Sequence, residues 1–206
     1  MENFTNALDI IGTIAFALSG TLAALNKNMH ITGIVILSWV AGVGGSILRD
    51  LILGVTPPMA FVNPIYSFIS IGVGVIIFLF IKIDVQLKYD KQTALCILDL
   101  ADAVGLSVFL ITGIIVAKNI YGQNTFLCLV AGVLTAVGGG FLRDLCICQI
   151  PQVFIRSFYI SSVIVGGLAY IATWNICKEW QCMLLGAAIT FILRMLDIYF
   201  HWQVFK

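Results

Sequence analysis

Seven stretches of this chain each run for about 20 residues with few side chains that are not apolar, and this pattern narrows the possible folds more than any other feature. At about 1.5 Å of rise per residue, a helix of that length crosses the roughly 30 Å hydrocarbon core of a bilayer. The predicted spans are Ala7–Leu25, Ile31–Gly54, Pro64–Ile83, Ala94–Ala117, Thr125–Cys148, Ser157–Ile176 and Gln181–Phe200. In lipid every backbone N–H and C=O must be satisfied within the protein, which for such runs means helices. The expected fold class is therefore an all-α integral membrane protein with seven transmembrane helices. Composition agrees: 61% of the 206 residues are apolar and 10% are charged, against about 45–50% and 25% in soluble domains. A net charge of +1 offers no footprint for a polyanion, so the lipid bilayer, not nucleic acid, is the expected environment.

The polar punctuation orders these spans. Pro57, Pro58 and Pro151 follow the second and fifth runs, and Pro64 stands where a helix can begin. The longest polar connection, from Lys82 to Thr93, joins two halves. No basic residue precedes the first apolar run, so that run is expected to belong to the fold and not to a secretory signal. One side of the membrane would receive Lys27, Lys82, Lys88, Lys91, Arg156 and Lys206, the other Lys118 and Lys178. The positive-inside rule makes the first side cytoplasmic, with the N-terminus outside and the C-terminus inside. Cys96, Cys128, Cys146, Cys148, Cys177 and Cys182 form no CxxC pair and are expected to be small buried hydrophobes. His30 and His201 lack ligand spacing. Neither enzyme activity nor a cofactor is expected.

The chain also repeats itself. Asp9-Ile-Ile-Gly12, Phe16 and Gly20 match Asp102-Ala-Val-Gly105, Phe109 and Gly113. Val43-Gly-Gly-Ser-Ile-Leu-Arg-Asp-Leu51 matches Val137-Gly-Gly-Gly-Phe-Leu-Arg-Asp-Leu145, with Pro57 aligned on Pro151. Residues 7–83 and 94–176 thus form two copies of three spans each. An odd number of spans inverts the second copy, an architecture common among transporters and some channels. Residues 181–200 are a seventh helix without a counterpart.

Ionisable residues at membrane depth are costly and are functional candidates by default. They are Asp9, Arg49, Asp50, Asp102, Arg143 and Asp144, with Asp99, Arg194 and Asp197 as lesser ones. Estimated depths predict that Asp9 meets Arg49 and that Asp102 meets Arg143. Such pairs either fix helix register or touch ions directly. Gly44-Gly45-Ser46 and Gly138-Gly139-Gly140 are read in two ways. Glycines either let helices pack closely or open the helical ladder and offer carbonyls to a dehydrated monovalent cation. Thr13, Ser19, Thr21, Ser107 and Thr112 can line a pathway or bond back to their own helices.

The doubled Gly-Gly-x-x-Leu-Arg-Asp motif, the Asp-x-x-Gly openings and the seven-span length resemble the prokaryotic TRIC (trimeric intracellular cation) channel family. Its bacterial members are also grouped under a glycine-transporter domain, one per repeat. The resemblance runs from about Leu8 into the seventh helix. It implies a homotrimer with one pore per protomer, permeable to monovalent cations, potassium above all and also sodium. It implies a pore lined by the first, second, fourth and fifth helices, with the second and fifth kinked at Gly44-Gly45-Ser46 and Gly138-Gly139-Gly140 and potassium near Gly44, Gly45, Gly138 and Gly139. Ser46 departs from an all-glycine pattern, and the basic lipid-binding motif of animal members is not evident. The expected location is the plasma membrane of a prokaryote. A secondary transporter of a small zwitterion such as glycine is the alternative function.

Overall fold

Apolar runs punctuated by proline, glycine and asparagine become helices joined by tight turns. The computed structural model describes residues 2–83, 91–156 and 158–200. In chain order the helices are α1 (Glu2–Asn26), α2 (Ile31–Ile52), α3 (Met59–Val62), α4 (Ile65–Ile83), α5 (Lys91–Tyr121), α6 (Thr125–Cys146), α7 (Gln152–Ile155), α8 (Tyr159–Thr173) and α9 (Glu179–Phe200). Five of them, α1, α2, α5, α6 and α9, contain segments long and apolar enough to cross a membrane. Two more apolar segments, Ile65–Ile81 and Tyr159–Thr173, are shorter. The sixth run is expected to extend to Ile176, but α8 stops at Thr173, whose carbonyl accepts the N–H groups of Ile176 and Cys177 in a closing turn. Lys88 and Lys206 lie outside the described residues.

Contacts gather the helix ends into two groups, called upper and lower here. At the upper end Tyr121 donates to the Leu53 carbonyl at 2.7 Å, Lys118 lies 3.7 Å from Glu179, and Gln123 donates to Asn175 at 3.0 Å. Asn124 caps α6 by accepting from the Leu127 N–H. The lower end holds Asn26, Lys27, Ile147, Gln152 and Arg156 around one cavity.

The middle of the molecule is made by α1, α2, α5 and α6, and its contacts come in pairs. Where α1 crosses α5, a Cβ on Gly12 would strike the Phe109 ring at 2.6 Å and one on Gly105 the Phe16 ring at 2.7 Å. Each glycine is thus the seat of the other copy's phenylalanine. The two rings stack with centroids 5.4 Å apart, worth about 0.5–1.5 kcal/mol beyond their burial. Gly20 lies against the Leu37 carbonyl of α2, and its counterpart Gly113 lies against Ala131 and Thr135 of α6. Apolar side chains of α5, among them Leu106, Leu110, Ile111 and Ile114, are fully buried. Ser38 ties α2 to both neighbours, donating at 2.7 Å to the Ser70 carbonyl and 3.1 Å from that of Ala17.

Two expectations need correction here. Only Cys128 and Cys182 are buried; Cys96, Cys146, Cys148 and Cys177 are exposed on the surface of the chain. The second concerns the glycine stretches, at which α2 and α6 run without interruption. The ladder is not opened there, because the missing side chains are used for approach. A Cβ on Gly45 would collide with the Thr135 carbonyl and come within 3.1 Å of the Gly139 nitrogen. One on Gly139 would collide with the Ala41 carbonyl, and one on Gly138 would meet the Gly45 Cα at 3.0 Å. Two backbones cross in contact, as small residues permit in membranes.

Candidate functional site

Each Arg-Asp pair sits in the last turn of its helix, and the local structure after it is built twice. Arg49 donates through Nε and Nη2 to Asp50 Oδ1 at 2.9 and 2.7 Å. Arg143 donates through Nε to Asp144 Oδ1 at 2.9 Å, with Nη2 at 2.8 Å. The chain then turns through a residue of positive φ, Gly54 at 70° or Cys148 at 53°. It enters a four-residue helix whose first N–H reaches back. Met59 donates to Asp50 Oδ2 at 2.8 Å and Gln152 to Asp144 Oδ2 at 2.9 Å. Both aspartates therefore have their two oxygens committed to structure. Pro58, not Pro57, takes the place of Pro151 before the short helix, because the first turn is one residue longer.

Beyond that shared turn the two copies diverge. In the lower cluster Arg143 Nη1 donates to Asp102 at 2.9 Å and also to the Ser19 hydroxyl. The seventh long helix adds Arg194, which lies 3.8 Å from Asp102, binds Asp197, donates to Gln152 at 2.9 Å and stacks 4.5 Å over the Tyr159 ring. Asp102, Arg143, Tyr159, Arg194 and Asp197 are all at most 1% exposed. Gly140 is the floor of this cluster: a Cβ there would meet Tyr159 Oη at 2.8 Å and Asp102 Oδ1 at 3.3 Å.

The upper cluster is different. Asp9 and Arg49 do not form the expected ion pair, because Asp50, next in the chain and held in place by Met59, takes the guanidinium. Asp9 instead lies beside Thr112, whose hydroxyl donates to the Phe109 carbonyl at 3.4 Å. Thr112 is the sequence counterpart of Ser19, so the same position lies beside a carboxylate above and a guanidinium below. Asp9, Thr13, Ser46, Arg49, Tyr66 and Thr135 line a cavity of about 200 Å³. A second cavity of about 200 Å³ opens at the lower end between Lys27, Asp99, Arg143, Asp144 and Arg156. Between Thr13, on the first cavity, and Ala23, on the second, α1 carries the fully buried Phe16 and Ser19.

The remaining candidates divide cleanly. Ser46 faces the upper cavity with its proton donated to the Val43 carbonyl at 2.8 Å. Gly44 packs on the Leu142 side chain, 2.7 Å from a Cβ position. Thr21 and Ser107 bond back to Ala17 and Val104 of their own helices, both at 2.8 Å. Asp99 meets Arg156 at 3.5 Å. Sequence reasoning did not single out Tyr159, Tyr66, Thr135 or Gln152. Tyr66 and Tyr159 carried a signal, since with the first turn one residue longer they align with each other as Pro58 does with Pro151.

Comparison with known proteins agrees with this architecture. A model of the family described as glycine transporter matches the chain twice, at residues 6–82 and 99–175. The inner membrane protein YadS of Escherichia coli is 30% identical over 201 residues, covering 96% of this chain and 93% of its own. The membrane protein YvgT of Bacillus subtilis is 35% identical over 167 residues, covering 81% of this chain and 79% of its own. Among solved structures, the TRIC trimeric intracellular cation channel orthologue from Rhodobacter sphaeroides superposes with a TM-score of 0.87 at 33% identity, covering 97% of this chain and 99% of that one. A prokaryotic TRIC channel in 0.5 M KCl gives a TM-score of 0.89 at 30% identity, covering 98% of both. With its motif built twice and both copies matched, this chain belongs to the glycine-transporter family, the family of the prokaryotic TRIC channels.

Proposed function

We propose that this protein is a homotrimeric channel of a prokaryotic plasma membrane, with one pore per protomer permeable to potassium and sodium. In this reading α1, α2, α4, α5, α6, α8 and α9 all span the bilayer. Residues 7–83 and 94–176 are two inverted repeats, and α9 is an addition. Ions pass between α1, α2, α5 and α6, from the upper cavity with Ser46, past the crossing of Gly44 and Gly45 with Gly138, Gly139 and Gly140, to the lower cavity. Ser19 and Thr112, with the clusters of Asp9, Arg49 and Asp50 and of Asp102, Arg143 and Asp144, stand along that route.

One observation carries the choice of a cation. The upper cavity holds Asp9, while the charge of Arg49 is already balanced by Asp50. One negative charge is left over, with neutral hydroxyls around it. A zwitterion such as glycine needs a free cationic partner for its carboxylate as well, and the upper cavity has none to spare. The relatives described as TRIC cation channels support the same choice. Purified protein in liposomes, assayed for potassium flux and glycine uptake side by side, tests it: unitary potassium currents are expected, and saturable glycine uptake without current would overturn the channel.

The lower end is assigned to the cytoplasm because Lys27 and Arg156 lie there. Cys177 is exposed beyond α8 near the upper end. In a variant retaining only that cysteine, a membrane-impermeant maleimide should label intact cells, whereas a cysteine placed at Lys27 should label only after lysis. The reverse pattern would invert the topology.

A further inference from the structure

Asp9 and Asp102 occupy the same position in the two sequence copies, yet their surroundings are opposite. Asp102 is fully buried with Arg143 at 2.9 Å and Arg194 at 3.8 Å. Asp9 has no arginine or lysine within ion-pair distance among the described residues, and it lines a cavity. The nearest candidate, Arg49, spends two donors on Asp50. A carboxylate at membrane depth without a fixed counter-charge is costly to keep, so a mobile counter-charge is the natural partner.

The hydroxyls on the same cavity are arranged for that partner. A hydroxyl has one proton and two lone pairs. Ser46 donates its proton to the Val43 carbonyl at 2.8 Å, and Thr135 donates its own to the Ala131 carbonyl at 2.6 Å. Thr112, beside Asp9, donates to the Phe109 carbonyl at 3.4 Å. With its proton spent on its own helix, Ser46 keeps acceptor lone pairs beside the cavity, while Thr135 is fully buried against Gly113. Acceptor oxygens and one carboxylate select a cation. A single carboxylate is a poor trap for a divalent ion, and among the described residues no group of three or more His, Cys, Asp or Glu side chains is placed to hold a metal.

We propose that Asp9 anchors a monovalent-cation binding site in the upper cavity, completed by the hydroxyl oxygen of Ser46, and that the lower copy has no such site because Arg143 and Arg194 already occupy Asp102. The site rests on the channel reading for its purpose but not for its test, since occupancy can be measured without flux.

The probe is potassium chloride, exchanged against N-methylglucamine chloride at constant ionic strength. Thermal unfolding of the purified protein in detergent should show a midpoint that rises and saturates with potassium. Asp9→Asn should raise the half-saturating concentration about tenfold, the factor that corresponds to about 1.4 kcal/mol of lost attraction. Asp9→Glu, which keeps the charge, should stay within about threefold of the parent. Should Asp9→Asn fail to yield folded protein, Ser46→Ala removes one ligand instead and should weaken binding by about threefold. An unchanged potassium dependence in the variant that folds would overturn the site. So would a parent protein whose midpoint ignores potassium. Flux in liposomes is read separately: Asp9-dependent stabilisation without flux leaves the site standing and removes the channel, while flux without Asp9-dependent binding does the opposite.

Discussion

Arg49 and Arg143 hold matching places in the two copies, and each binds the aspartate that follows it, with closest approaches of 2.7 and 2.8 Å. Around Arg143 every carboxylate has a guanidinium within 4 Å, because α9 brings Arg194 and Asp197 to a place where the first copy has no equivalent helix. Around Arg49 the second carboxylate, Asp9, is left facing a cavity. Burial decides the difference. Charges shut away from water must be balanced by fixed partners, since breaking such a pair leaves an uncompensated charge. Charges beside a cavity can be balanced by something that comes and goes. One motif, copied once, thus serves as a fully paired, buried cluster below and as a cluster facing a cavity above.

The largest expected effect tests the lower cluster. Arg143→Gln strands Asp144 and leaves Asp102 with Arg194 alone at 3.8 Å, and should cost about 3–5 kcal/mol in unfolding experiments in detergent. Arg49→Gln should cost less, because it removes the partner of one carboxylate, Asp50, where Arg143→Gln removes that of two. Equal losses would erase the distinction between the clusters.

Next comes Ser19, which accepts from Arg143. Ser19→Ala removes a hydrogen bond to a charged donor that is fully buried and should cost about 1.5–3 kcal/mol. A loss under half a unit would mean that the guanidinium is satisfied without it.

The glycine crossing sharpens the comparison in a different way, since both copies share it. Gly45→Ala and Gly139→Ala each drive a methyl into a backbone carbonyl and should cost about 1–3 kcal/mol. Gly44→Ala meets only the movable end of Leu142 and should cost under about 1 kcal/mol. Stability measured beside potassium flux per folded protein separates packing from pathway: flux that falls while stability holds would return the glycines to a direct role in the proposed pore.

The smallest effect concerns pairing. In a double-mutant cycle on stability, Asp9→Asn and Arg49→Gln should add to within about 0.5 kcal/mol, while Asp102→Asn and Arg143→Gln should depart from additivity by more than that. Strong coupling between Asp9 and Arg49 would show that they meet after all.

Much of this molecule was legible before any coordinates. The places of the long helices follow from hydropathy, and the doubled motif announces that something is built twice. Even the turn after Arg-Asp is local: a carboxylate capping a short helix that follows a proline needs only residues within nine positions of one another. Asp102 and Arg143 were expected to meet from estimated depth alone, and they lie 2.9 Å apart. Asp9 and Arg49 were expected to meet on the same grounds and do not. Depth places two residues at one level of the membrane but does not say which way a side chain turns. At Arg49 the neighbouring Asp50, oriented by the Met59 N–H, is nearer to hand.

Sequence by itself therefore determined the helices, the repeat and the local turns, because hydropathy and short-range hydrogen bonds act over a few residues. Tertiary structure alone decided what the charges do. Whether an aspartate is locked by two arginines or left beside a cavity depends on α9, whose Arg194 stands 92 positions from Asp102 in the chain. It depends equally on glycines that let α2 and α6 touch. Coulombic balance in a buried site is a sum over every element that reaches it, and that sum exists only once the helices are packed.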